Sequence, residues 1–185
     1  MAYIEMIEPG KAIGQLKEIY DHILEKRGKI AEVHKIQSLN PESIVNHMDL
    51  YMTVMFGRSP LKRVQREMMA VVVSAANGCE YCQVHHCEAV NHYWKDSKKT
   101  SQLRKDYTRL ELSKIDRRLC DFARDLTKQP GAGATELFIQ PLKEVGLSDK
   151  AILDATLVAS YFNFVNRMVL ALGAQLEEEP GGYHY

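Results

Sequence analysis

The chain has 185 residues, 45 % of them hydrophobic, which is long enough for one well-buried core, short for two, and neither disordered nor low in complexity. Lys+Arg and Asp+Glu both number 24, so the formal net charge is zero and no long-range field draws the chain to nucleic acid or an anionic membrane. No apolar run of roughly 18 residues occurs, so no transmembrane helix is predicted. The N-terminus, Met1-Ala-Tyr-Ile-Glu-Met-Ile-Glu-Pro, has early acids and no basic region, and does not read as a signal peptide. The expected compartment is the cytoplasm, where structural disulfides are rare. Four cysteines, three of them between Cys79 and Cys87, then point to redox chemistry or metal binding rather than stapling.

The pattern is helical nearly throughout. Ile13, Leu16, Ile19, Tyr20, Ile23 and Leu24 form an apolar stripe and predict a helix over residues 11–28. Asn40-Pro41-Glu42-Ser43 reads as a helix start, and Ile44, Val45, Met48, Tyr51, Val54 and Met55 carry that helix to about Gly57. Ser59-Pro60 opens a third, through Val64, Met68, Val71 and Val72 to Asn77-Gly78, where glycine ends it. A fourth begins at the next residues and runs to about Trp94. Residues 95–111 are polar and rich in Lys and Arg with interleaved acids, and read as a solvated connector rather than a basic patch. Leu112-Ser113 is an N-cap junction for a helix buried on Ile115, Leu119, Phe122, Ala123 and Leu126, ended by Gln129-Pro130-Gly131-Ala132-Gly133. A short helix from Thr135 to Val145, bent at Pro141, and a long one from about 149 to 173 complete the series. The tail from Glu177 is acidic, then Pro-Gly-Gly, and is expected to be mobile. The expectation is a single all-α domain over residues 1–185, a multi-helix bundle with its core at about 11–175. Glu67-Met-Met-Ala-Val-Val-Val-Ser echoes Ile152-Leu-Asp-Ala-Thr-Leu-Val-Ala; an internal duplication and a coincidence between two buried helices explain this about equally.

The chemistry concentrates at Cys79-Glu80-Tyr81-Cys82 and His86. On a helix, positions i and i+4 share a face with Cβ atoms about 5–6 Å apart, so His86 can hydrogen-bond Cys82 and favour its thiolate. Cys79 lies within disulfide reach of Cys82, and both thiols fall in a first helical turn, whose N–H groups stabilise a thiolate. Zinc competes for the same residues, because Cys79, Cys82 and His86 share a face and His85, Cys87 and His92 lie close. A closed zinc site usually draws its second ligand pair from a separate segment, and the only cysteine elsewhere is Cys120. Glu67 has apolar face neighbours in Val64, Met68 and Val71. If buried against the dithiol it could move protons to and from Cys79. On residues alone, a surface position in the run Lys62, Arg63, Arg66, Glu67 carries more weight.

Glu67 followed by Cys79-x-x-Cys82-x-x-x-His86 resembles the active-site pattern of the alkylhydroperoxidase D-like proteins of the carboxymuconolactone decarboxylase superfamily. Ser160-Tyr-Phe-Asn-Phe-Val-Asn-Arg167 is similar to the matching stretch of its peroxidase-related subgroup, and the resemblance covers roughly residues 40–175. It implies an all-helical fold, homo-oligomers (dimer, trimer or hexamer) and thiol-dependent reduction of hydroperoxides. Cys82 corresponds to the attacking cysteine, Cys79 to the resolving one, and Glu67 and His86 to the proton relay. Some members carry a His where Tyr81 stands. In thioredoxin-type motifs the first thiol attacks, but His86 is one turn from Cys82 and two from Cys79, which favours Cys82 for peroxide cleavage.

No nucleotide or flavin fingerprint is present, so no cofactor is expected and electrons must come from an external dithiol or thioredoxin-like reductant. A thiol–disulfide oxidoreductase and a non-enzymatic zinc-binding or redox-sensing module are the alternatives. His85 points about 100° from His86 and is expected at the surface or an interface; His92 lies nearly three turns from the dithiol. Cys87 and Cys120 read as small core residues. Asn163 and Asn166 either border the pocket or pack among Tyr161, Phe162, Phe164 and Arg167.

Overall fold

The computed structural model describes residues 2–132 and 135–178. Among these it contains nine α-helices and no strand: α1 Gly14–Arg27, α2 Glu32–Lys35, α3 Pro41–Tyr51, α4 Arg63–Asn77, α5 Glu80–Trp94, α6 Ser97–Asp106, α7 Lys114–Lys128, α8 Gln140–Glu144 and α9 Asp149–Leu172. The fold is all-α, as expected.

Helix α4 is the hub. It packs against α5, α7 and α9, and Met68, Met69, Ala70, Val71, Val72 and Val73 are all buried. A helix that is apolar on every side belongs in the interior. This covering on all sides is why the consecutive valines sit in a helix rather than a strand. Helix α9 is long and apolar enough, by length and composition, to cross a membrane. Its apolar side is spent internally, with Ala155, Val158, Ala159 and Phe162 almost fully buried and the helix packed on α4 and α7. A smaller cluster of Leu16, Tyr20, Ile23, Ile30 and Ile44 joins α1 to α3.

The turn between α4 and α5 sets the site. Gly78 has φ 71°, a left-handed conformation that an L side chain rarely adopts. Its N–H bonds the Ala75 carbonyl at 3.1 Å and the Cys79 N–H bonds that of Ser74 at 2.9 Å, closing the end of α4. The chain reverses within these residues, so α5 packs back along α4 and Cys79 becomes its N-cap.

Several sequence expectations need correction. Residues 97–106 are helix, not connector. Asp96 accepts from the Lys99 N–H at 2.9 Å, and Thr100 and Leu103 are buried, so one narrow apolar edge is enough to dock an otherwise polar helix. The first helix starts at Gly14, and Ile13 is its exposed N-cap rather than part of the stripe. The helix from Pro41 passes into a π-helical turn, Met52–Phe56, before Gly57. The segment after Thr135 is a π-helical turn followed by α8, with Pro141 in the first turn of α8. The short α2 was not anticipated. Ser113 caps α7 as expected, accepting from the Asp116 N–H at 3.1 Å. Gly133, at the expected end of that helix, and residues 179–185 of the acidic tail lie outside the described residues.

Candidate active site

Cys79 and Cys82 sit at the start of α5, both buried. The Cys82 thiol donates to the Cys79 sulfur, which also accepts the Cys82 backbone N–H. These bonds hold Cys79 below the ordinary thiol range. Donation to Cys79, together with burial, pushes Cys82 well above it. In the bond between the two sulfurs the hydrogen is carried by Cys82. Asn166, fully buried on α9, hydrogen-bonds the Cys82 sulfur and acts in the opposite direction, lowering its pKa. That amide is itself fixed: it accepts from Asn77 Nδ2 at 3.0 Å and donates to Ser74 Oγ at 3.2 Å. Access separates the two thiols. Cys82 lines a cavity of about 80 Å³, whereas Cys79 lies behind it and has no exposed surface.

Glu67 has no exposed surface either, so the charged-run reading as a surface residue is overturned. Arg63, one turn earlier on α4, donates through Nε at 2.8 Å and through Nη2 to Oε1, and His86 Nδ1 lies 2.6 Å from Oε2. Burial opposes the carboxylate, but the nearby His86 and Arg63 more than offset it and hold Glu67 below its ordinary range. The Arg63 guanidinium stacks 3.5 Å over the Phe56 ring, and Phe162 packs edge-on against His86 with centroids 4.5 Å apart. A carboxylate can only accept, so His86 carries hydrogen on Nδ1 and presents Nε2 to the cavity it lines with Cys82.

The other side of the cavity comes from distant parts of the chain: Arg27 of α1, His34 of α2, His47 and Tyr51 of α3, and Tyr161 of α9. Burial pushes His34 down to about 3 and His47 down to about 4, and raises the Tyr51 and Tyr161 phenols. At the rim, Glu177 accepts from the Tyr81 hydroxyl and the Glu32 N–H, each at 2.8 Å, and pairs with His85 Nε2 at 2.8 Å. Burial works against this carboxylate; the His85 and Glu32 bonds outweigh it and bring Glu177 to about 2.

The profile of the carboxymuconolactone decarboxylase family matches residues 45–92, the span that holds Glu67, both thiols and His86. A solved structure described as an uncharacterized peroxidase-related protein from Silicibacter sp. TM1040 is 31 % identical, with 90 % of this chain and 86 % of that one covered and a TM-score of 0.82. The chain belongs to the alkylhydroperoxidase D-like branch of the carboxymuconolactone decarboxylase superfamily. The fold of this branch is also shared with an alkylhydroperoxidase AhpD core protein from Ralstonia eutropha JMP134, at 22 % identity over 96 % of this chain and 93 % of that one, TM-score 0.85. It is shared again with the debrominase Bmp8, at 18 % identity over 95 % and 92 %, TM-score 0.78. No curated protein matches.

Within this alkylhydroperoxidase-like frame, Cys79, Cys82, His86 and Glu67 do come together. The partnership differs from the one the spacing suggested: His86 is bonded to Glu67, and the Cys82 thiol to Cys79 and Asn166. His85, expected at the surface or an interface, is half-buried at the rim of the cavity, where it pairs with Glu177. His92 packs on Tyr93 away from the site. Cys120 is fully buried, and Cys87 is partly buried with its thiol pushed up to about 11 by burial. Of the aromatic–amide cluster, Asn166 reaches the dithiol. Asn163 supports it through Asn77 at 3.1 Å, and Arg167 is exposed and bonded to the Asn163 carbonyl. Among the described residues no group of three or more His, Cys, Asp or Glu side chains is placed to hold a metal ion. Arg27, His34, His47 and Glu177 were missed. None lies in a motif, and only the i, i+4 pair His47 and Tyr51 on one helix face gave a signal.

Proposed function

We propose that this protein is a thiol-dependent peroxidase in which Cys82 attacks a hydroperoxide, Cys79 resolves the product, and His86 with Glu67 relays protons. The observation that carries the reading is positional: Cys82 opens onto a small cavity shared with His86, and Cys79 lies directly behind it in hydrogen-bond contact.

The cycle begins with transfer of the Cys82 proton to His86 Nε2 across the cavity they share. The Cys82 thiolate attacks the terminal peroxide oxygen. The O–O bond breaks, Cys82 becomes a sulfenic acid, and the other oxygen leaves as alkoxide. His86, paired with Glu67, passes the proton taken from Cys82 to the alkoxide through Nε2, so the products are an alcohol and neutral imidazole. Cys79 then displaces water from the sulfenic acid and closes the disulfide. An external dithiol or thioredoxin-like protein reopens it by exchange.

Two buried sulfurs behind a cavity of about 80 Å³ favour a small peroxide head over a protein disulfide as the oxidant. Intact-protein mass spectrometry after one equivalent of peroxide tests this. Loss of two hydrogens, mapped to a Cys79–Cys82 peptide, supports the cycle; no change in mass contradicts it.

A further inference from the structure

The cavity has a polar edge that this cycle leaves unused. The Tyr161 hydroxyl lies 2.7 Å from His47 Nε2, and both side chains are buried. Gln37 decides which of them donates. Its Nε2 lies 2.7 Å from the Val33 carbonyl oxygen and 2.8 Å from His47 Nδ1. A carbonyl only accepts, so the amide N–H side faces both groups; the Ser43 hydroxyl reaches the amide oxygen at 3.4 Å. His47 Nδ1 is then the acceptor, and Nε2 bears the single ring hydrogen of an imidazole that burial keeps neutral.

That hydrogen goes to the Tyr161 oxygen, so the phenol cannot donate back. Its own hydrogen has no other partner among the described residues. Tyr161 lines the cavity with Cys82, near enough that charge on Cys82 raises the phenol pKa. His34 Nδ1, also buried and lining the cavity, has no hydrogen-bond partner either. Buried donors and acceptors left unpaired are costly, which marks this edge as built to meet a polar ligand.

We propose that Tyr161 donates a hydrogen bond to the peroxide oxygen that leaves as alkoxide, with His47 and Gln37 as positioning residues that fix the direction of that bond. The inference rests on the peroxidase reading. Negative charge develops on this oxygen as the O–O bond breaks, and a fixed donor in a water-poor site stabilises it most at that moment. Tyr161 keeps its hydrogen throughout, since the proton for the alkoxide comes from His86.

Tyr161→Phe removes one oxygen and keeps the ring. Stopped-flow rates of Cys82 oxidation by cumene hydroperoxide should fall about a hundredfold, while alkylation of Cys82 by iodoacetamide, which expels iodide, stays within about twofold. His47→Leu should lower the ratio of the two rates in the same direction, and His47→Gln, whose amide N–H can reach the phenol, should restore part of it. This pair carries the test if Tyr161→Phe does not fold. Equal loss in both reactions, no loss in either, or identical behaviour of His47→Leu and His47→Gln would overturn the proposal. A wild-type protein that does not react with peroxide sinks the peroxidase reading itself; an active wild type with an unaffected Tyr161→Phe sinks only the role of Tyr161.

Discussion

The two walls of the cavity are buried alike and carry opposite electrostatics. On the dithiol wall, Glu67 is ionised with no exposed surface because Arg63 and His86 both bond it, and bonds from Cys82 hold the Cys79 thiol below its ordinary range. On the facing wall, burial drives His34 and His47 to their neutral forms and keeps Tyr51 and Tyr161 protonated. The neighbouring His47 and the Arg27 guanidinium further disfavour a cation on His34. Burial alone therefore does not set protonation. A carboxylate with two cationic or donating partners around it stays charged, whereas an imidazole whose partners are a neutral amide and phenol loses its charge to burial. One wall is equipped to move protons and the other to hold hydrogen bonds in fixed directions.

The largest way to break this contrast is Glu67→Gln. It should cut peroxide turnover by about a hundredfold and remove the carboxylate from the half-buried Arg63 pair, costing about 3 kcal/mol of stability in urea melts. If the variant keeps both turnover and stability, the charged wall is not what the geometry implies. Asn166→Ala tests a narrower link. Loss of its bond should raise the Cys82 pKa further and slow iodoacetamide alkylation near neutral pH about tenfold, with about 1–3 kcal/mol lost because Asn77 and Ser74 lose a buried partner. An unchanged alkylation rate would show that the amide does not act on the sulfur.

The smallest effect on the chemistry is expected at the rim. Glu177 has its carboxyl pKa depressed from 4.5 to about 2. Its stabilisation is therefore complete above the ordinary carboxylate value and is lost as pH falls toward 2. Wild type should exceed Glu177→Gln in stability by about 2 kcal/mol at neutral pH, and the gap should close progressively below pH 4.5. A gap that is the same at pH 7 and pH 3 would mean that the charged carboxylate is not what holds the rim.

The contrast also explains how far the sequence could be read. The dithiol wall is local: Cys79, Cys82 and His86 share one helix face, and Gly78 announces the turn that places them. Glu67 was legible through its distance from the dithiol, but not through its surroundings. Lys62, Arg63 and Arg66 suggest solvent, and only packing on α5 and α9 buries that face of α4. The facing wall is non-local. His34, His47 and Tyr161 are drawn together by the docking of α2 and α3, and no spacing links them. Helix α6 was hidden by its polarity, because two buried positions, Thr100 and Leu103, hold it in place. Glu177 was hidden in an acidic tail whose composition says nothing of its bonds to Tyr81 and His85.

The division of labour between the thiols is the central claim, because proton placement and access point to different sulfurs at rest. Trapping sulfenic acid with dimedone in Cys79→Ser and Cys82→Ser variants, after one equivalent of peroxide, decides it most directly. The account predicts a dimedone adduct on Cys82 in Cys79→Ser and none on Cys79 in Cys82→Ser. An adduct on Cys79 in Cys82→Ser, with Cys82 unlabelled in Cys79→Ser, would contradict it.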